Sequence, residues 1–258
     1  MSISVVINTY NEPEKLTGCL ESVKDFADEI VIVDMGSNDA TLEIAEKYKA
    51  KVYPHELLPY VEPARNFGIS KATGKWILVL DPDERISKTL AEKLREIVKD
   101  DDADVVQIPR KNIIFGKWLR HTNCWPDYHA RFFKKGKVTW TDTIHAALEV
   151  RGTMKAEGKV FKLDPLESLA IEHLNYDNIN QFLERQNRYS EMSVKNRFEK
   201  GEKFSWKNFF WKPKRVFLQR YIRHAGFLDG FCGFAFSYLV AYSQLAEEVK
   251  LWEKEKAK

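Results

Sequence analysis

Up to about Pro109 the chain alternates short apolar, largely β-branched runs with stretches whose apolar positions recur three and four residues apart. Ser4–Thr9, Glu29–Asp34, Lys51–Tyr53, Trp76–Asp81 and Asp104–Pro109 read as strands; Glu14–Lys24, Thr41–Tyr48, Ala64–Lys71 and Lys88–Lys99 read as helices. Such a strand–helix–strand succession builds an α/β fold, a mainly parallel sheet with helices on both faces, because each helix must return the chain to the same end of the sheet. Sheets of this kind take their ligands beyond the carboxyl ends of the strands, where the winding reverses. Polar residues gather at those ends: Thr9-Tyr10-Asn11-Glu12, Asp34 to Asp39, and Asp81 to Arg85.

From Asn112 to about Lys162 the pattern turns irregular and rich in Trp, Gly and charge, with short strand candidates at Ala130–Phe133, Val138–Trp140 and Ala147–Val150. This region reads as one that shapes a substrate site. After Pro165 the texture becomes helical: Asn178–Lys200, about Trp206–His224, then Leu228–Lys256. The expected organisation is a domain over 1–165, with halves meeting near residue 110, followed by a helical extension over 166–258.

Composition narrows this picture. With 258 residues, 44% hydrophobic and 31% charged, the chain has apolar material for one large domain and an appendage. A formal charge of only +3 argues against a globally basic nucleic-acid binder. Cys19, Cys124 and Cys232 are odd in number and far apart, which suits neither a disulfide framework nor a zinc site. The strand-like run starts at Ser4 without the charged, apolar and small-residue segments of a signal peptide, so the expected location is the cytoplasm.

Asp81-Pro82-Asp83-Glu84 closes the apolar strand from Trp76, so several carboxylates emerge at a strand's carboxyl end. Hard oxygen ligands of this kind suit Mg²⁺ or Mn²⁺ shared with a diphosphate; the same residues could instead form a turn and helix cap before Ser87. Asp34 ends the second strand, where it can accept hydrogen bonds from a base or ribose, while Gly36 lets the backbone approach a ligand. Asp39 or Ser37 could equally cap the helix from Thr41. Neither Gly-x-Gly-x-x-Gly nor a Gly-Lys-Ser/Thr loop occurs.

Val5-Val6-Ile7-Asn8-Thr9-Tyr10-Asn11-Glu12, Val33-Asp34-Met35-Gly36-Ser37-Asn38-Asp39, Arg65-Asn66 and Asp81-Pro82-Asp83-Glu84-Arg85 together resemble family 2 glycosyltransferases. The segments Trp125-Pro126-Asp127-Tyr128-His129-Ala130-Arg131-Phe132-Phe133 and Gly226-Phe227-Leu228-Asp229-Gly230 are similar to the branch containing lipopolysaccharide-core β-1,4-glucosyltransferases. The resemblance implies the GT-A fold, a nucleotide diphosphate sugar donor, a divalent metal and inversion at the anomeric carbon. Carried over by residue, Thr9, Asn11, Glu12 and Asp34 would hold the nucleoside with Arg65 nearby. Asp81 would contact the ribose or metal-bound water, and Asp83 would ligate Mg²⁺ or Mn²⁺. Asp127 would be the base that deprotonates the acceptor, set beside aromatics such as Trp125 able to stack on a sugar; a surface turn at Pro126-Asp127 is the plainer alternative. By the same resemblance the best donor is UDP-glucose and the best acceptor a lipid-anchored core oligosaccharide. Ile144-His145-Ala146 departs from the His-Glu of relatives, removing a carboxylate at Ala146.

His145 and His173 are each available as a further metal or phosphate ligand, or as structural histidines. Arg131 could neutralise the diphosphate or pair with a carboxylate. Between Lys203 and Leu228 no acidic residue occurs, while Lys207, Lys212, Lys214 and Arg215 interleave with Trp206, Phe209, Phe210 and Trp211. That mixture fits an anionic membrane surface, placing the protein peripherally at the inner face of the cell membrane, or else an ordinary helical hairpin. The apolar run Phe231–Tyr242 falls short of the roughly 20 residues that span a bilayer. Two other functions compete with a transferase: a sugar-nucleotide-binding protein without turnover, for which Ala146 speaks, and a nucleotidyltransferase, which would normally carry a Gly-rich basic loop between Asn8 and Glu14. A nucleic-acid partner is not expected.

Overall fold

The computed structural model of the chain describes residues 2–58, 61–140 and 154–257, apart from the side chain of residue 62. In chain order its elements are β1 (Ile3–Thr9), α1 (Pro13–Val23), β2 (Glu29–Asp34), α2 (Thr41–Lys47), β3 (Lys51–Pro54), α3 (Glu62–Lys71), β4 (Trp76–Leu80), β5 (Glu84–Arg85) and α4 (Lys88–Asp100). There follow β6 (Val105–Ile114), β7 (Lys117–Trp118), β8 (Asp127–Lys134), β9 (Val138–Trp140), β10 (Met154–Ala156), β11 (Val160–Lys162), β12 (Ile171–Tyr176), α5 (Ile179–Glu199), α6 (Trp206–Phe217) and α7 (Gly230–Lys256). The α/β class read from the sequence is the one observed, and each strand and helix expected before Pro109 is present.

The described residues form two compact units. The first runs to Lys111, resumes from Asp127 to Trp140 and again from Met154 to His173. Its strands follow the order β3-β2-β1-β4-β8-β6-β12-β5, with β11 added alongside β6 and a separate pair β9–β10. Pairing is parallel from β3 to β4 and turns antiparallel where β8 joins β4 and β6. The parallel strands are covered on both faces, which is why β4 reads Trp-Ile-Leu-Val-Leu with every residue buried. Alternate residues feed two cores: Val5, Ile7, Ile32, Leu78 and Leu80 pack with α1 and α4, while Val6, Val31, Ile77 and Val79 pack on the opposite face with Phe133 and Trp140.

Local signals set the ends of these elements. Pro13 opens α1, where its missing N–H costs nothing. Ser87 Oγ accepts from Leu90 N at 3.0 Å and caps α4, and the helix then buries Leu90, Leu94, Ile97 and Val98 on one stripe. Thus the cap at Ser87 and the carboxylates before it coexist. β12 lies where the sequence texture reads as helical; its buried residues, Ile171, His173 and Tyr176, are too few and too unevenly spaced to stand out. The strand expected over Ala147–Val150 lies outside the described residues.

The second unit comprises Asn112–Pro126 and the chain from Leu174 onward. Asn178 caps α5 through its side chain, accepting from Gln181 N at 3.0 Å. The single helix expected over Trp206–His224 is instead α6, with Pro213 inside it, followed by a π-helical turn over Leu218–Arg223. That turn closes through His224 N on Gln219 O at 2.9 Å. The segment Gly226-Phe227-Leu228-Asp229-Gly230 is structural: Asp229 accepts from His121 N and His121 Nδ1, both at 2.9 Å, and its carbonyl accepts from Lys117 Nζ at 2.6 Å. Gly226 is required because a Cβ there would lie 2.6 Å from Thr122 Cγ2 and 2.9 Å from the Arg220 carbonyl. Among the described residues no single helix is long and apolar enough to cross a membrane; Trp206–Arg223 and Gly226–Lys256 reach that length and composition only together, across a 72° bend.

Candidate active site

The polar residues expected at the strand ends do converge in the first unit. β1 ends at Thr9 and β2 at Asp34, in register with each other. Asn11, with φ of 49°, donates its N–H to Ser37 Oγ at 2.9 Å and accepts from Asn38 N on Oδ1 at 2.9 Å. Asp34 Oδ2 accepts from Gly36 N and Ser37 N at 3.1 and 3.0 Å. The two loops after β1 and β2 therefore brace one another. Glu12 sits half-buried at the start of α1. Asp34 Oδ1, Thr9 Oγ1 and the Asn8 amide are buried and lack a hydrogen-bond partner among the described residues. Burying such groups unsatisfied is costly, so polar groups with unused hydrogen-bonding capacity stand at the ends of β1 and β2. Asp39 Oδ1 meanwhile accepts from Thr41 N at 2.9 Å, bracing the entry of α2.

Beside this lies a chain of alternating charges. Arg65, on α3, donates through Nη2 to Asp81 Oδ1 and Oδ2 at 2.7 and 2.9 Å. Arg131, on β8, donates to Asp81 Oδ2 at 2.7 Å and to Glu84 Oε1 at 2.9 Å. Arg110, on β6, approaches Glu84 Oε1 at 3.4 Å and donates from Nε and Nη2 to Asp127 Oδ2 at 3.0 and 2.7 Å. His129 donates from Nε2 to Asp127 Oδ1 at 3.1 Å. Asp127 starts β8 and its side chain is 9% exposed, so it is not a surface turn.

Electrostatics follow from this arrangement. Burial alone would raise the Asp81 carboxyl, but the Arg131 and Arg65 guanidinium groups outweigh it and hold it well below the usual carboxylate range. Burial likewise opposes ionisation of Asp127, and the His129 hydrogen bond with the Arg110 charge overcomes it, keeping Asp127 ionised. His129 itself is pushed down to about 3 by burial and by Arg110, against the pull of Asp127. Its ring is neutral at pH 7.

Asp83 and His173 are brought together by the antiparallel pairing of β5 with β12, in which His173 faces Glu84. Both are buried, and His173 Nε2 lies 3.6 Å from Asp83 Oδ2. Among the described residues no cluster of three or more His, Cys, Asp or Glu side chains could hold a metal ion. An Asp–His pair fits Mg²⁺ or Mn²⁺ only if a ligand's own oxygens and water complete the shell, which is the ordinary arrangement for ions shared with phosphates. Trp125 belongs to the second unit, edge-on to Trp118 with ring centroids 5.2 Å apart. His145 and Ala146 lie outside the described residues.

Sequence reading missed Arg110 and His129. His129 could have been found, since two residues from Asp127 on a strand it must share that residue's face. Arg110 could not, because only the register of β6 against β8 puts it opposite Asp127.

Comparison with known proteins gives these residues a context. A family model described as glycosyl transferase family 2 matches residues 4–153. An uncharacterized glycosyltransferase of Rickettsia felis is 29% identical over 97% of this chain and 89% of its own. The lipopolysaccharide core biosynthesis glycosyltransferase LpsC of Rhizobium meliloti is 24% identical over 93% of this chain and 91% of its own. Among solved structures, S. aureus TarS 1–349 superposes with a TM-score of 0.52 at 16% identity, covering 100% of this chain and 92% of that one, a likeness of fold. With its α/β sheet, its polar strand ends and more than half its length matched, the chain belongs to glycosyltransferase family 2 and has the GT-A fold.

Proposed function

We propose that the protein is a metal-dependent inverting hexosyltransferase that moves a hexose, glucose by preference, from a UDP-sugar to a hydroxyl of a membrane-held glycan or glycolipid such as a lipopolysaccharide core. The observation that carries this reading is the pair Asp83 and His173, 3.6 Å apart, placed by two strands remote in sequence immediately after the strand end that presents Asp81. Support for the donor comes from TarS, solved in complex with UDP at a TM-score of 0.51, and for the acceptor from LpsC, named for lipopolysaccharide core biosynthesis. In this reading the catalytic part comprises residues 1–165 together with β12, which carries His173, and the helices from Ile179 onward form an extension that serves the membrane.

Asp34 and Thr9 offer their unpartnered oxygens to the nucleoside, with Asn11 and Glu12 shaping the same loop. Arg65 fixes Asp81 at the floor of the site. Asp83 and His173 would hold Mg²⁺ or Mn²⁺, which when bound neutralises the charge developing on the leaving diphosphate. Asp127 accepts the proton of the acceptor hydroxyl as its oxygen attacks the anomeric carbon opposite the departing diphosphate. Arg110 donates to Asp127 Oδ2 and lowers its proton affinity, so any weakening of that pair as the acceptor binds would strengthen the base. Glu84 is a poorer base: it is fully buried, with Oε1 held by Arg131 and Oε2 by Asp81 N at 2.9 Å.

The test is transfer from UDP-glucose with Mn²⁺, the anomeric configuration of the product being read by NMR. A β-linked product from the α-linked donor is expected. Asp127→Asn keeps the size of the side chain but not its basicity, so turnover should fall by roughly 10²–10⁴-fold while calorimetric donor affinity stays near wild type. An α-linked product would overturn inversion, and loss of donor binding at intact turnover would move Asp127 into the donor pocket.

A further inference from the structure

The second unit turns an aromatic face outward. On α6 and the turn after it, Trp206, Phe210, Lys214 and Leu218 recur every four residues, and all are exposed. Trp206 and Phe210 are each 67% exposed and stack on one another, ring centroids 6.1 Å apart. On α7, Phe231, Phe234, Tyr238 and Tyr242 follow at helical spacing, with Phe231 80% exposed. Phe227 and Leu228 fill the corner between and are exposed as well. The two rows join: the Phe217 ring lies 5.9 Å from Phe234, and Tyr221 lies 5.6 Å from Phe234. Proteins seldom leave so much contiguous aromatic surface in water, because each ring carries roughly 150–250 Å² that gains from burial.

Charge identifies what covers it. Lys212 and Arg220 are committed internally, to Glu248 at 2.6 Å and to the Thr122 carbonyl at 2.8 Å. Lys207, Lys214, Arg215 and Arg223 remain exposed, in a stretch from Lys203 to Leu228 without a carboxylate. A second copy of the chain would set these cations against their like. Nucleic acid would answer the cations but leave Leu228 and Phe231 without an apolar neighbour. The interface of an anionic bilayer answers both, headgroups taking the cations and the acyl boundary the rings.

We propose that α6, the corner at Gly226–Asp229 and the start of α7 form a face that docks on the interface of an anionic lipid bilayer. Trp206, Phe210, Phe227, Leu228 and Phe231 enter the acyl boundary, and Lys207, Lys214 and Arg215 hold the headgroups. The use of this face rests on the reading of the acceptor as membrane-held; its existence does not.

Co-sedimentation of the full chain with vesicles of phosphatidylcholine, with and without phosphatidylglycerol, tests it. Binding to the anionic vesicles alone, reversed by salt, is expected. One cation near such a surface is worth about fivefold in partition, so the combined variant K207Q/K214Q/R215Q should bind about a hundredfold more weakly. W206S/F210S/F231S should lose binding even at low salt. Both variants should keep the wild-type melting temperature and turnover on a water-soluble saccharide acceptor. Equal sedimentation of wild type and both variants overturns the proposal, as does a stable dimer in solution or RNA retardation without vesicle binding. Retention of wild type through alkaline carbonate extraction overturns it in favour of an inserted hairpin. A chain that binds vesicles but transfers no sugar leaves the docking face standing and removes the transferase reading; one that transfers to a soluble acceptor and ignores vesicles does the reverse.

Discussion

His129 and Asp127 share one face of β8, and their environment splits their titrations. The histidine is pushed down to about 3 by burial and the Arg110 charge, whereas in the unfolded chain it titrates near 6.5. Since the folded value is the lower one, the stabilisation from keeping this ring neutral is complete above pH 6.5 and is lost as pH falls from there toward 3. Asp127, held below its ordinary range, weakens only in stronger acid, below about pH 4. Between pH 6.5 and 4.5, then, His129 carries the acid sensitivity of this pair, up to about 1.4 kcal/mol per pH unit. His129→Gln keeps an N–H donor for Asp127 and removes the titration. Its melting temperature should fall less than that of wild type across this interval; parallel curves for the two would show that His129 is protonated in the folded protein.

At the scale of elements, α3 shows how packing sets chemistry. Gly68 lies against β1 and β2, where a Cβ would sit 2.6 Å from Val6 Cγ1 and 2.8 Å from Val33 Cγ2. One turn earlier the same helix carries Arg65, paired with Asp81, and Asn66, whose amide bonds both the N–H and the carbonyl of Trp140 at 3.0 and 2.7 Å. Gly68→Ala must push the helix off the sheet or shift the valines, which overpacking data place at about 1–3 kcal/mol. Because Arg65 would move with the helix, the donor KM should rise together with the loss of stability. Chemical denaturation and steady-state kinetics on one preparation check this; a stability loss at unchanged KM would detach Arg65 from donor binding. The parallel strands and their helices were legible in the sequence because burial on both faces writes itself as unbroken apolar runs, such as Trp76–Leu80, and helical packing as a three-four stripe, such as Leu90, Leu94, Ile97 and Val98. The short strands β5, β7, β11 and β12 were not, being two to six residues long and specified by their partners. The same limit applies at the site. Asp81 and Asp83 stand out in their motif, whereas the approach of His173 to Asp83 depends on one short pairing of β5 with β12.

For the whole molecule the proposed chemistry becomes a question of stability, because a ligand that binds only the folded chain raises its melting temperature by mass action. At a hundredfold excess over Kd the gain is about 2.7 kcal/mol, and for a chain of this size about 1 kcal/mol moves Tm by roughly 2–4 °C. UDP with Mn²⁺ at that excess should therefore raise Tm by roughly 5–10 °C, UDP alone by less, and Mn²⁺ alone very little, since two protein ligands make a weak site until the diphosphate completes it. Two variants divide the response. Asp83→Asn should keep the shift with UDP and lose the increment from Mn²⁺. Asp34→Asn can still turn its amide oxygen toward Gly36 N and Ser37 N, preserving the loop, but then presents an NH₂ where Asp34 Oδ1 now lies unpartnered, so it should lose the response to UDP itself. A Mn²⁺ increment that survives in Asp83→Asn would place the ion elsewhere, and a full UDP response in Asp34→Asn would remove the nucleoside from the ends of β1 and β2.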